Sequence, residues 1–104
     1  TLAYPCMSRL IYTEPALADL VRIGEFWLDR GSPASTRAMA SIRAGLDNIM
    51  SRPGSFRPVP DRLNQRETII PFGGGSFVAR FRHNAETGDV IILRVRHDRE
   101  IAFG

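Results

Sequence analysis

Residues 66–100, RETIIPFGGGSFVARFRHNAETGDVIILRVRHDRE, decide the fold, because they read as three consecutive antiparallel strands ending in a basic tip. Over residues 76–82 the side chains alternate: Phe77, Ala79 and Phe81 fall on one side, Val78, Arg80 and Arg82 on the other. That period of two marks a strand buried on one face. Residues 90–96 alternate in the same way, placing Ile91, Leu93 and Val95 on the core side and Val90, Ile92, Arg94 and Arg96 opposite. Both runs are rich in β-branched and aromatic residues, which suit a pleated, half-buried surface. Arg80, Arg82, Arg94 and Arg96 are therefore expected to share one face. Between the runs, residues 84–89 (NAETGD) form a hairpin loop that Gly88 closes by taking a positive φ. The upstream strand, residues 66–72, enters the hairpin through Gly73, Gly74 and Gly75. A phosphate-cradling loop needs a helix N-terminus behind it, and here a strand follows, so the three glycines read as a turn.

A chain of 104 residues is one domain by size, large enough to bury a core without covalent staples. All 14 of its basic residues are arginine, and the net charge is +3. The total is modest, but Arg80, Arg82, Arg94, Arg96 and Arg99 lie close together in sequence, and clustering matters more than the sum. Guanidinium groups favour planar, bidentate contact with carboxylate or phosphate. The lone cysteine, Cys6, excludes an internal disulfide, and two histidines with one cysteine point to no metal site and no cofactor. Charged residues interrupt the N-terminal apolar positions, so the expectation is a soluble cytoplasmic protein without membrane contact.

Residues 1–6 match no element and precede Met7, so they are expected to be a non-native or disordered extension of a single domain over residues 7–104. Residues 8–12 suggest a first strand. Thr13 then offers an N-cap with Pro15 in the first turn, opening a helix to about Arg30 whose apolar face is Leu17, Leu20, Val21, Gly24, Trp27 and Leu28. Gly31 ends that helix, and Ser32 and Pro33 start a second one, with Ser32 as cap. Its inner side is Ala38, Met39, Ile42, Leu46, Ile49 and Met50, with Gly45 allowing close approach to the first helix or the sheet. The short connection makes the two helices an antiparallel hairpin, and Arg52, Pro53 and Gly54 stop the second. Residues 55–65 are punctuated by proline and read as an irregular or edge segment. The fold class is therefore α+β: an N-terminal strand, a helical hairpin, then a three- or four-stranded antiparallel sheet with one face covered and one open and basic.

The order and spacing of these pieces resemble the RelE/ParE superfamily of type II toxin–antitoxin modules, and within it the ParE-like plasmid stabilisation toxins. The resemblance rests on the short strand followed by TEPALADL at residues 13–20, a second helix closing in Arg52, Pro53 and Gly54, Arg66 and Glu67 opening a strand, and VRHDR at residues 95–99. It implies a toxin that inhibits DNA gyrase by binding and is neutralised by a cognate, ParD-like antitoxin of ribbon-helix-helix type. The antitoxin is implied to wrap the helical hairpin and sheet, with contacts in the region of Leu17, Leu20, Trp27 and Ile42. Ribonuclease members of the superfamily, such as RelE, cleave messenger RNA on the ribosome with basic residues and a C-terminal tyrosine. Alignment with that pattern sets Thr68, Ile70 and Phe77 where RelE has two lysines and an arginine, and no tyrosine follows Tyr12. Hydroxyl, alkyl and aryl groups cannot replace cations that stabilise developing charge.

The binding reading assigns target contact to Arg80, Arg82, Arg94, Arg96, His97 and Arg99, and no catalytic residue. A ribosome-dependent endoribonuclease is the alternative. It would use His97 as general acid or base with Glu67 or Arg66 across the sheet, the pattern of YoeB-like members. A third reading is a degenerate member that only binds its antitoxin and regulates its own operon. Apart from any role in chemistry, His97 also reads as a strand-end residue on the apolar side, held by Asp98.

Overall fold

The computed structural model describes residues 9–98. The expectations concerning residues 1–6, Met7, Cys6 and Arg99 lie outside that range. The elements run β1 (Leu10–Tyr12), α1 (Glu14–Leu28), α2 (Ser32–Ser51), a single 3-10 turn (Pro53–Ser55), β2 (Arg57–Pro58), β3 (Gln65–Phe72), β4 (Gly75–His83) and β5 (Val90–His97). The class is α+β, as the sequence predicts, but the sheet has five strands in the order β1-β5-β4-β3-β2. β1 runs parallel to β5 and the other pairs are antiparallel. The two extra pairings come from β1, whose short strand finds β5 after the helical hairpin brings the chain back, and from the proline-bounded β2. A two-residue edge strand is all that segment supports, because Pro58 and Pro60 have no N–H to donate.

α1 packs on β5 and α2 on β3, so the helical hairpin covers one sheet face. Between them lies a core of Phe77, Ala79 and Phe81 from β4, Val90, Ile92 and Val95 from β5, and Ile23, Ile42, Leu46 and Ile49 from the helices. Gly45 is where α2 comes down on β3. A side chain there would run into Ile70, so the close approach is to the sheet and not to α1. The helices are tied to each other by Ser35 Oγ, which donates to Gly24 O at 3.2 Å.

Three local expectations are corrected. Gly31, at φ 115°, occupies the cap position of α2 without a side-chain capping bond, and Ser32 is the first residue of the helix. The buried face of α1 is Ala16, Asp19 and Ile23, whereas Leu17, Val21 and Leu28 are exposed. The centre of the buried face lies roughly 110° from that of the expected stripe, and Asp19 in it meets Arg94 and the Val95 N–H on β5. In β5, Val90 and Ile92 face the core and Ile91 and Leu93 do not, the reverse of the alternation expected there. A bulge explains this: Arg80 pairs with Arg94 but Phe81 pairs with Ile92, so Leu93 is an extra residue and the phase flips. Downstream of it, Val95 and His97 point inward and Arg94 and Arg96 outward, as expected. The hairpin at residues 84–89 forms as expected, with Gly88 at φ 81° and its N–H donating to Asn84 O at 2.7 Å.

Candidate functional site

The open face of the sheet carries a cleft of about 340 Å³. Arg80 and Arg82 project into it from β4, Arg94 and Arg96 from β5, and Arg62 from the loop before β3, with Gln65, Val78 and Leu93 between them. Strand alternation sets the first two. The bulge sets the next two, because without the extra Leu93 the residues that follow would fall on the opposite face. The four arginines expected to share a face do share it. Arg62 was missed by reading strands alone, since it sits in a loop whose path depends on Asp61 and Asn64 at φ 62° and 64°.

Two carboxylates hold this cationic floor in place. Glu67, opposite Arg80 in the ladder, lies 2.7 Å from Arg57 and 3.6 Å from Arg80. Asp19 is only 1% exposed and reaches through from α1. Its Oδ2 accepts from Arg94 Nε and from Val95 N, each at 2.8 Å, and its Oδ1 accepts from Arg94 Nη2 at 3.0 Å and Arg22 Nη1 at 2.8 Å. Burial pushes the Asp19 carboxyl up, but these hydrogen bonds and the Arg94 charge outweigh it and hold it below the usual carboxylate range. The same corner is closed by Thr13, whose hydroxyl lies 3.0 Å from Ile92 O and 3.1 Å from Leu93 O and accepts from Ala16 N. Beyond the end of β1, the exposed edge of β5 is thus satisfied by the first turns of α1.

His97 is not on this face. It is 5% exposed and packs edge-on to Trp27 and Phe77 at ring distances of 5.6 and 5.1 Å, with Nδ1 3.3 Å from Asp98 Oδ1. Nor are Glu67 and Arg66 its neighbours. His97 pairs across from Phe77, three residues along β4 from the Arg80 that pairs with Glu67, an offset of roughly 10 Å along the strands with β4 lying between the two residues. Glu67 is on the open face, while Arg66 is on the helix side and donates to Phe56 O at 2.7 Å. The expected trio of His97, Glu67 and Arg66 is not brought together: Glu67 faces the opposite side of the sheet, and Arg66 pairs with Phe81, four residues along β4 from the Phe77 that pairs with His97. Of the aligned positions Thr68, Ile70 and Phe77, the latter two are buried and pair with each other.

The family described as the ParE toxin of the type II toxin–antitoxin system, parDE, matches residues 10–102. The chain belongs to this family. In fold it is similar to a chain of the chromosomal ParDE toxin–antitoxin system from P. aeruginosa, with a TM-score of 0.67 and 23% identity over 88% of this chain and 96% of that one. It also resembles the E. coli RelE toxin. For RelE crystallised alone, the TM-score is 0.60 at 13% identity, covering 92% of this chain and 90% of that one. For the intact E. coli RelBE complex the figures are 0.59, 13%, 86% and 94%. No curated protein matches it in sequence.

In this ParE family member the residues expected to meet an antitoxin divide among three places. Leu17 lies on the exposed stripe of α1 with Val21 and Leu28, which at 100° per residue fall within about 40° of one another. Leu20 and Ile42 line a second cleft of about 420 Å³ between the helices and β1, whose other walls include Tyr12, Arg43 and Asp47. Burial and the nearby Asp47 push the Tyr12 phenol up, with Arg43 opposing. Trp27 belongs to the aromatic cluster at the end of α1, 5.0 Å from the Phe72 ring. Among the described residues its buried Nε1–H finds no acceptor. Among the described residues there is also no cluster of metal-ligating side chains and no helix long and apolar enough to cross a membrane.

Proposed function

We propose that this ParE family member is a toxin acting in the bacterial cytoplasm by binding. Its target is DNA gyrase, met through the arginine face, and it is neutralised by a cognate ParD-like, ribbon-helix-helix antitoxin. The observation that supports the reading is the composition of the open face: five guanidinium groups around one cleft, while His97 is packed among aromatic rings on the other side of the sheet. Such a face suits recognition of anionic groups. In this reading the antitoxin covers the apolar stripe of α1, and the 62% exposure of Val21 there supports it.

The test is expression without antitoxin, followed by assays of gyrase supercoiling and transcript integrity for the wild type, Arg82→Ala and His97→Phe. The expected result is gyrase inhibition with intact transcripts, weakened by Arg82→Ala and retained by His97→Phe, since a phenyl ring fills the same aromatic site. A wild type that cleaves transcripts and spares gyrase, with cleavage lost in His97→Phe, would replace this reading by the ribonuclease one. General acid–base catalysis is worth roughly two to four orders of magnitude and does not survive a phenyl ring.

A further inference from the structure

The arginine cleft is more selective than its charge suggests. Its floor is not uniformly polar: Val78 and Leu93 line it among the guanidinium groups, and Ile69, paired with Val78 on the same face, is 51% exposed beside it. None of its lining residues is aromatic, because Phe77 and Phe81 of the same strand point into the core. Single-stranded nucleic acids gain much of their affinity by stacking bases on aromatic side chains, and the lining of this cleft offers none. The cleft also continues outward. Arg62 and Gln65 line both it and a shallower hollow on the loop before β3, whose tip carries Leu63 at 87% exposure. An exposed leucine held beside guanidinium groups on a loop braced by two left-handed residues resembles the apolar anchor of a protein interface.

We propose that this face docks an acidic segment of the target protein whose carboxylates alternate with aliphatic side chains. The carboxylates pair with Arg80, Arg82, Arg94 and Arg96, and the aliphatic groups rest on Val78, Leu93 and, outside the cleft, Leu63. Arg94 is already committed to Asp19 through Nε and Nη2, which fixes its plane and its position at the cleft wall. The inference rests on the reading that this face meets the target, and it names the target's chemistry.

The experiment measures binding of the full chain to three fluorescein-labelled probes by anisotropy over a salt series: a Glu-Leu copolymer peptide, an all-Glu peptide and an oligothymidylate of equal charge. The Glu-Leu peptide is expected to bind about tenfold more tightly than either other probe, and its affinity to fall less steeply with salt than that of the oligonucleotide. Arg82→Ala is expected to weaken it by about tenfold and Leu63→Ser by about threefold. Both side chains are exposed, so both variants keep the fold. Equal or tighter binding of the oligothymidylate would overturn the proposal, as would a peptide affinity unmoved by both substitutions. Supercoiling assays on the same preparations separate the two claims. Peptide binding without gyrase inhibition removes the target named above and keeps the docking chemistry; gyrase inhibition with no preference for the Glu-Leu peptide does the opposite.

Discussion

Asp19 is the side chain whose environment governs most of its surroundings. A carboxylate in a helix face against a sheet is costly unless every lone pair is met, and here Arg94, Arg22 and the Val95 N–H meet them. Because the fold holds its carboxyl below the ordinary value, the fold prefers the ionised form. That contribution is complete above the ordinary carboxylate range and drains away as pH falls through the lower, folded value. Urea unfolding followed from neutral to acid pH should therefore show stability lost on the acid side, and Asp19→Asn should flatten this loss. At neutral pH the same substitution is expected to cost roughly 1–3 kcal/mol, because the amide keeps an acceptor for the backbone but not the charge. A variant whose acid profile matches the wild type would show that other carboxyls carry the dependence.

At the scale of elements, the contact between α2 and β3 is set by one missing side chain. A methyl group at Gly45 would overlap Ile70 Cγ1 and Cδ1, and Ile70 is itself buried against Phe77 across the ladder. Overpacking of this kind typically costs about 1–3 kcal/mol, although alanine gains up to about 1 kcal/mol over glycine in a helix. Gly45→Ala should lower stability on balance, and Ile70→Ala should lower it by about 2–5 kcal/mol. The double variant is expected to be more stable than the sum of the two losses implies, because each removes the other's problem. Chemical denaturation of all four proteins in the cycle measures this. Strict additivity would mean that α2 shifts away from the sheet instead of pressing on it.

The sheet is two-sided, with the helices and their apolar stripe on one side and the arginine cleft on the other. Under the proposed function, this separation would let one face meet the target while the other meets the antitoxin. An antitoxin seated on α1 binds only the folded state, and at a hundredfold excess over its Kd it should stabilise by about 2.7 kcal/mol. For a domain of this size that corresponds to a rise in Tm of about 10 °C or more. Val21→Asp, at a position 62% exposed, should leave the Tm of the free toxin nearly unchanged and abolish most of that rise. Thermal melts of wild type and variant with and without antitoxin test it. An undiminished rise in Val21→Asp would move the antitoxin to another surface, such as the cleft lined by Leu20 and Ile42.

The sequence by itself determined the elements, their order and the basic face. Alternation, turn glycines, a threonine cap and two proline-bounded segments are local signals, and local signals survive into the structure wherever backbone geometry alone decides them. Arg80 and Arg82 were placed correctly for that reason. What only the tertiary structure decided depends on partners distant in sequence. The bulge at Leu93 reverses which of Ile91 and Ile92 is buried, and an apolar run reads equally well in either phase. Asp19 faces inward because Arg94, seventy-five positions away, is there to meet it. A helical periodicity built on hydrophobicity turns a carboxylate outward, so the apolar face it draws on α1 includes Leu17, Val21 and Leu28, which are exposed, and omits Asp19, which is buried. His97 was legible as a strand-end residue on the apolar side beside Asp98, but its separation from Glu67 and Arg66 was not. Which residues meet across a sheet is a matter of register and facing, and both are fixed only when the strands pair.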